Sequence, residues 1–494
     1  MSIFSQKLCG YVENASMKVT TLSRLSGVER SYIQKMLSGE RLPKEYSILL
    51  RLSEALMLTP AESSSLREAY EISKMGESIY SRRMAVKDLL EEADRYLPPA
   101  IPSRPSPPQP PRKELPDLMP LEGRIAISDA LQSFLAEETA SSEAHLCAVI
   151  QPDCMAISQI QIYCLMNPKL RLEHIVCFDR DQPSQENQHY NLRCMRALLP
   201  FLLGSYQYSG WFYYDSISAQ SSRTSVFPWF ILGKNAVFSL SRDCEKAILY
   251  TQPQAVALFR RIFEEFRGAC SPLFELENTT QSRFWNSSRW TEIQKQMTYS
   301  IQFEPCWGFF YTMDMIEKNI LPDLPNREQI LSFFADRQKQ ITLLEDSQRK
   351  NTSFFTPEGI DRFLTTGKTS EIPEALYTPL PVSARAELLR RMLHCVEKGN
   401  YTPYLVRSQK LTLPRLLSLF ITDEQRLSCS SAHPVFGLYS VIFREKSIVY
   451  SICDFLEYLK DTDMVYSREE SITILQNKLK ELERLEAEPT PSAS

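Results

Sequence analysis

The chain contains 494 residues, of which 43% are hydrophobic and 23% are charged, and its formal net charge is −4. At roughly 100–200 residues per domain this length predicts about two to four domains, and the composition excludes a chain that is disordered throughout. The longest apolar stretches, at 197–203 and 226–232, are shorter than the roughly 18–20 residues that a membrane-spanning helix requires.

The first residues contain no apolar run that could form the core of a signal peptide, so we expect a cytoplasmic protein without a membrane partner. Twelve cysteines are scattered along the chain, and no two of them form a C-x-x-C pair. Cysteines of a cytosolic protein are expected to be reduced and packed as small hydrophobic residues. The sequence therefore predicts neither a disulfide framework nor a metal or other cofactor.

Charge is distributed unevenly along the chain. The segment 18–51 carries seven basic and three acidic side chains, which gives it a charge of +4 and leaves −8 for the remainder. Lys and Arg supply most contacts to nucleic-acid phosphates, so the segment indicates an anionic partner. A solvated helix face would have the same composition and is the alternative interpretation.

Two short helices that meet across a glycine are predicted near the N-terminus. Leu22 lies on the apolar face of the first helix, and Gly27 allows the tight turn that follows it. The second helix begins near Glu29 and ends at Gly39, because a left-handed glycine terminates a helix at little cost. Its buried residues are expected to be Ile33 and Met36. Two helices joined in this way form a helix-turn-helix, and the second one exposes polar groups that can bind bases or phosphates.

This motif resembles the DNA-binding domain of the Cro and lambda-repressor type, the XRE family, over residues 5–70. The matching positions are Leu22-Ser23, Gly27-Val28, Ile33, Gly39, Pro43 and Leu49-Leu52-Ala55-Leu56. A fifth helix is expected after Thr59, with Pro60 in its first position and Glu62 completing a capping box. The resemblance implies an all-α five-helix head that binds double-stranded DNA as a homodimer.

The sequence departs from the family pattern at two positions. The family's phosphate-binding Gln at the start of the second helix is Val19 here, so a neighbour of Val19 has to replace that contact. The Glu that the family often has two residues before the capping glycine is Leu37. The resemblance places Arg30, Ser31 and Lys35 where the family reads bases in the major groove. The DNA-binding residues it implies are Lys18, Thr20, Thr21, Glu29, Arg30, Ser31, Tyr32, Gln34, Lys35 and Arg41. A helix-turn-helix used only for protein interaction is the alternative.

Ten of the 31 prolines fall within 98–120, a density that no helix or central strand tolerates. The segment is predicted to be an extended tether of up to ~70 Å at about 3.1 Å per residue. An amphipathic helix is expected before it, over 77–96. The predicted domains are the head at 1–75, a connecting helix at 76–97, a Pro-rich linker at 98–120, an α/β domain at 121–277, a helix-rich α+β domain at 278–486 and a disordered tail at 487–494.

Helical and strand patterns alternate beyond the tether, which predicts a large mixed α/β (α+β) region in a multidomain chain. Strands are predicted at 145–151, 170–178, 211–214, 229–240, 404–406, 417–420 and 438–443. Helices are predicted at 127–138, 256–267, 328–344, 357–364, 383–398 and after a capping box that starts at Ser467. The apolar spacing of this last helix fits either a short coiled coil or ordinary packing, and we favour packing.

The sequence contains no motif of a known catalytic centre. None of its five histidines forms H-x-K, so phospholipase-D-type chemistry lacks its nucleophile, and the phosphate-binding and hydrolase motifs are also absent. The adjacent His394 and Cys395 are expected in a core. Residues 179–186 are expected to be a solvated acidic loop rather than a ligand site, and the aromatic residues between 206 and 230 are expected to be core strands rather than a pocket lining.

These observations predict a transcriptional regulator that is not an enzyme, with a C-terminal region that senses a small-molecule effector of unknown identity or forms the dimer. The alternative is a ligand-binding protein or uncharacterised enzyme that uses the head as a targeting or protein-interaction module.

Overall fold

The structure is a computed structural model that forms two compact units. Of the residues that the structure describes, the N-terminal unit comprises 2–85 and 189, and the large unit comprises the remainder from 86 to 487. The described residues are 2–93, 117–141, 143–167, 169–180, 189–204, 207–216, 226–277, 297–325, 327–332, 334–335, 350–370, 372, 374–415, 417–422, 426–433, 437–443 and 445–487. In these ranges no helix is both long enough and apolar enough to cross a membrane.

The N-terminal unit consists of helices packed around one apolar core. Its helices are α1 (Ile3–Asn14), α2 (Val19–Ser26), α3 (Arg30–Leu37), α4 (Tyr46–Ala55) and α5 (Pro60–Met75), and α6 (Glu77–Glu92) follows along the chain. Phe4 of α1 is fully buried and lies edge-on to Tyr70 of α5, with ring centroids 5.9 Å apart. The predicted capping box at Thr59 and Glu62 is confirmed, since each side chain binds the backbone N–H of the other residue.

The large unit contains two mixed sheets, and the strands of the first sheet precede those of the second along the chain. The first sheet contains β1 (Leu118–Glu122), β2 (His145–Val149), β3 (Arg171–Asp179), β4 (Tyr208–Asp215), β5 (Trp229–Leu232), β6 (Val237–Leu240), β7 (Lys246–Tyr250) and β8 (Ser271–Pro272). Its helices are α7 (Arg124–Glu138), α8 (Met155–Met166), α9 (Tyr190–Gly204) and α10 (Pro253–Ala269). The spatial order of the strands is β1-β7-β6-β5-β2-β3-β4-β8.

The second sheet has the order β12-β11-β10-β13-β14-β15-β9. Its strands are β9 (Phe274–Glu277), β10 (Met297–Ile301), β11 (Asn351–Phe355), β12 (Tyr401–Leu405), β13 (Leu417–Thr422), β14 (Arg426–His433) and β15 (Gly437–Phe443). The helices of this part are α11 (Met313–Asn319), α12 (Pro357–Thr366), α13 (Val382–Glu397), α14 (Lys446–Leu459) and α15 (Arg468–Ala487). A core between them includes the stacked rings of Trp307 and Phe363, whose centroids are 4.2 Å apart.

The two sheets share one topology. From β4 the first sheet runs β4-β3-β2-β5-β6-β7-β1, and from β12 the second runs β12-β11-β10-β13-β14-β15-β9. In both, the first three strands are parallel and all later neighbours are antiparallel. After the last of these strands in the chain, a helix leads to a further segment that runs antiparallel to the outer parallel strand. In the first sheet this segment is β8, which pairs with β4; in the second it is Val465, which bridges to Val406 next to β12. The large unit is therefore built from two copies of one topology.

The described elements confirm most predicted helices and strands and correct three details. The single strand predicted at 229–240 is the hairpin β5–β6, because buried Glu138 accepts the backbone N–H groups of Lys234 and Asn235 and holds a turn there. Residues 118–120, the end of the predicted linker, belong to edge strand β1, where proline is tolerated. His394 was expected in the core, but its side chain is 62% exposed.

Several predictions fall outside the described residues. These are linker residues 98–116, most of the helix at 328–344, the acidic residues 181 and 186, the aromatic residue 206 and tail residues 488–494. The last helix, α15, packs as expected: its Leu475 and Leu482 are buried in the same core as residues of α13. The capping box at Ser467 and Glu470 is also confirmed.

Candidate functional site

Helices α2 and α3 are joined by a tight turn whose conformation is set by local hydrogen bonds. Gly27 ends α2 with φ 65°, a left-handed conformation that costs a residue with a side chain roughly 1–2 kcal/mol. Ser26 accepts the N–H of Val28, and the hydroxyl of Ser23 donates to the Val28 carbonyl oxygen at 2.7 Å. Val28 is buried, so the chain enters α3 from a fixed position.

Helix α3 has one buried face and one polar face. Ile33 and Met36 have no exposed surface and pack in the core of the N-terminal unit. At about 100° per residue, Arg30 and Gln34 lie within about 40° of each other, outside the sector of Ile33 and Met36, and both are exposed. The helix therefore presents a guanidinium and an amide on its outer surface, which are two groups that hydrogen-bond base edges.

The ten predicted DNA-binding residues differ in exposure. Seven are exposed, namely Lys18, Thr20, Glu29, Arg30, Ser31, Gln34 and Arg41, and three are half-buried, namely Thr21, Tyr32 and Lys35. Residue 18 is the N-cap of α2 and residue 29 the N-cap of α3, and neither caps its helix with its side chain. The backbone N–H groups at the start of both helices therefore have no side-chain cap.

Three of these residues form side-chain hydrogen bonds within the unit. The Tyr32 hydroxyl donates to the Leu42 carbonyl oxygen at 2.8 Å and accepts the N–H of Lys44 at 2.9 Å, so it holds the loop after α3 in place. The Ser31 hydroxyl donates to the carboxylate of Glu29. Tyr32 thus has a positioning role that the sequence pattern did not indicate.

The basic side chains of segment 18–51 outnumber its acidic ones by four. Among the described residues, none of these seven side chains forms an ion pair; they are Lys18, Arg24, Arg30, Lys35, Arg41, Lys44 and Arg51. Six are exposed and Lys35 is half-buried. Exposed, unpaired cations produce a positive potential that attracts polyanions and weakens as salt is added.

The sequence did not predict a cavity of about 300 Å³ in the large unit. It lies where β2 and β6 end and β5 begins, beside the first residues of α7, α8 and α9. Crevices beyond the carboxyl ends of parallel strands, where the strand order changes direction, are common ligand sites in α/β folds. Residues that line it include Arg124, Gln151, Asp153, Tyr190, Trp229 and Arg242.

Two thiols also line this cavity. Cys154, the N-cap of α8, lies with its Sγ 3.0 Å from the Sγ of Cys244, which follows β6 and has φ 56°. The hydrogen bond from Cys154 lowers the pKa of Cys244, and the guanidinium of Arg124 acts in the same direction. The sequence signal for this site was the segment 150–154, Ile-Gln-Pro-Asp-Cys, which follows the buried strand β2. It is similar to residues 301–306, Ile-Gln-Phe-Glu-Pro-Cys, at the end of β10.

No protein-family model matches the chain, and no curated protein matches it. Phosphatidylserine synthase from Haemophilus influenzae Rd KW20 is similar at 11% identity and a TM-score of 0.24, covering 75% of this chain and 94% of that one. TrmBL2, an archaeal chromatin protein, is similar at 10% identity and a TM-score of 0.21, covering 51% and 92%. Polyphosphate kinase from Porphyromonas gingivalis is similar at 11% identity and a TM-score of 0.20, covering 74% and 55%. Scores this low carry no conclusion about fold or function.

Proposed function

We propose that the chain is a sequence-specific DNA-binding transcriptional regulator, not an enzyme, with a Cro-like helix-turn-helix that places α3 in the major groove of double-stranded DNA. The observation that carries the proposal is the polar outer face of α3, together with the basic side chains of segment 18–51, which form no ion pair with any residue that the structure describes. A helix of this kind can read base edges while its neighbours bind phosphates.

The contacts divide by chemistry. Arg30 and Gln34 are proposed to read bases, since a guanidinium binds guanine and an amide binds adenine through paired hydrogen bonds. Lys18 and Arg41 are proposed to bind phosphates from either side of α3. Tyr32 positions the loop that carries Arg41, because its hydroxyl bonds the loop backbone on both sides of residue 43. As a homodimer the protein would bind two half-sites related by two-fold symmetry.

Selection of bound sequences from random double-stranded DNA by the full chain tests this proposal. We expect a common motif made of two inverted half-sites. Arg30→Ala should weaken binding to the selected site by about 1–3 kcal/mol and relax the preference at one base pair. Lys18→Ala should weaken all sequences equally and reduce the slope of log affinity against log salt by about 0.9.

Lys74→Ala is the matched control, because it removes a positive charge from α5, outside the segment 18–51. It should leave both the motif and the salt slope close to those of the parent chain. Absence of a common motif, or equal behaviour of Arg30→Ala and Lys74→Ala, would contradict the proposal and favour a protein-interaction role for the head.

We further propose that the cavity of the large unit binds the small-molecule effector. Its volume of about 300 Å³ lies at the lower end of ligand sites, and its lining combines charged groups with Trp229. Small molecules released by denaturing the purified chain can be identified by mass spectrometry. Met155→Trp should abolish their retention by filling the cavity, whereas Ser158→Trp, on an exposed position of the same helix, should not.

A further inference from the structure

Cys154 and Cys244 are 90 residues apart in the chain, yet their sulfur atoms lie 3.0 Å from each other. A disulfide has an S–S length of about 2.05 Å, so bond formation requires the two sulfurs to approach by only about 1 Å. Cys154 is the N-cap that precedes α8, and Cys244 lies in the turn between β6 and β7. Packing of the first sheet, rather than sequence proximity, creates this pair.

The turn holds the Cys244 thiol in a defined position. Cys244 has φ 56°, a conformation that L-residues seldom adopt, and its N–H donates to the Ser241 carbonyl oxygen at 3.0 Å. The Ser241 hydroxyl in turn donates to the Asp243 carboxylate at 2.6 Å. A positive φ costs a non-glycine residue energy, so the contacts of the turn hold Cys244 in this conformation.

Cys244 differs from the buried Cys147 and Cys164 in access to the cavity and in acidity. The hydrogen bond to Cys244, together with burial, raises the pKa of Cys154, so Cys154 is the protonated member of the pair. Both thiols line the cavity, so a small reagent can reach them. Reactivity of a thiol follows its thiolate content, and the bond from Cys154 favours the thiolate of Cys244. In contrast, burial raises the pKa of Cys164 and of Cys147 to about 12, which keeps those two thiols protonated.

We propose that Cys154 and Cys244 form a peroxide-reactive dithiol that closes reversibly to a disulfide. The Cys244 thiolate attacks one oxygen of a small hydroperoxide, the O–O bond breaks, and Cys244 becomes a sulfenic acid while hydroxide, or alkoxide from an alkyl hydroperoxide, leaves. The Cys154 sulfur then attacks the sulfenic sulfur; the S–S bond forms, and the Cys154 proton leaves with the hydroxyl group as water. Two thiols are oxidised, the peroxide is reduced, and a thiol reductant reverses the reaction.

The disulfide would join the first residue before α8 to the turn between β6 and β7. Both lie on the wall of the cavity, so oxidation fixes the spacing between two of its walls. This inference does not rest on DNA binding, because it is read from the thiols alone.

The test uses the reduced full chain, one equivalent of hydrogen peroxide and N-ethylmaleimide to block the remaining thiols. Digestion without reductant should yield one dominant linked peptide pair, containing Cys154 and Cys244 and lighter by two hydrogen atoms. The pair should form at a rate on the order of tenfold above oxidation of Cys270, which is half-buried like Cys154 but has no thiol partner among the described residues and a pKa raised by burial. Dithiothreitol should restore both thiols.

Variants separate the two chemical steps. Cys154→Ser should stop at a sulfenic acid on Cys244, which dimedone traps, whereas the control Cys270→Ser should retain the linked pair. If a variant fails to fold, the linked peptides of the oxidised parent chain still show which cysteines are joined. Oxidation that leaves Cys154 and Cys244 unlinked, or links distributed equally over other cysteines, would overturn it.

Discussion

Glu173 of β3 allows a quantitative test of the electrostatics of the first sheet. Its carboxylate is 2% exposed, hydrogen-bonds His145 at 3.0 Å and forms ion pairs with Arg171 at 2.8 Å and with Arg267 of α10. The bond from His145, followed by that from Arg267, lowers the pKa of Glu173 to about 2. We expect Glu173→Gln to destabilise this sheet strongly, because the change leaves three cationic or polar partners without their shared carboxylate.

The magnitude follows from the pKa. Lowering it from the ordinary value of 4.5 to about 2 corresponds to about 3 kcal/mol of preferential stabilisation of the folded state. A group with a lowered folded-state pKa contributes this stability above its unfolded pKa and loses it as the pH falls through the folded one. The difference between the parent and Glu173→Gln should therefore be about 3 kcal/mol at pH 7 and shrink between about pH 4.5 and pH 2.

Urea unfolding, monitored by hydrogen exchange of the peptide that contains β3, measures this difference. Exchange of that peptide reports the stability of the first sheet separately from the rest of the chain. Glu143→Gln is the matched control, since Glu143 is exposed near the start of β2 and should change stability little. A Glu173→Gln effect equal to that of the control, or one that persists undiminished at pH 2, would refute the assigned role of the carboxylate.

Three further predictions concern backbone and covalent constraints. Gly27→Ala should destabilise the N-terminal unit by about 1 kcal/mol, read by hydrogen exchange of α2, because it forces an alanine into the left-handed region. Gly359→Ala should cost about 3 kcal/mol in urea unfolding of the second sheet, since its methyl group would overlap the Phe303 carbonyl oxygen; an unchanged midpoint would contradict this packing. Oxidation of the Cys154–Cys244 pair should raise the unfolding free energy of the first sheet by ~4–5 kcal/mol for a 90-residue loop, with Cys154→Ser showing no such gain.

Signals within a few neighbouring residues determined much of the secondary structure. The capping residues at Thr59 and Ser467 placed the starts of α5 and α15 correctly, because a cap uses atoms only three residues apart. Gly27 likewise predicted the end of α2, since its left-handed conformation depends on its own backbone. The polar face of α3 followed from the helical period, and the assignment of that face to DNA remains the proposal.

Contacts between distant residues decided what the sequence could not. The segment 229–240 contains a turn signal, Gly233-Lys234-Asn235, that the single-strand prediction missed, and Glu138, almost a hundred residues earlier, fixes the turn through two backbone N–H groups. The sequence did not reveal the shared topology of the two sheets either. Strands pair through backbone hydrogen bonds, so two sheets can have the same strand order without similar residues.

The cavity and its thiol pair illustrate the same limit. In the sequence, Cys154 and Cys244 are two of twelve scattered cysteines. Charge, capping residues and helical period determined the basic N-terminal segment, its helices and the mixed C-terminal region. Only the packing of α8 against the turn after β6 brings the two sulfurs to 3.0 Å. Helices and caps depend on residues that are close in the sequence. A site built from separate strands forms only when the strands have paired in the correct register.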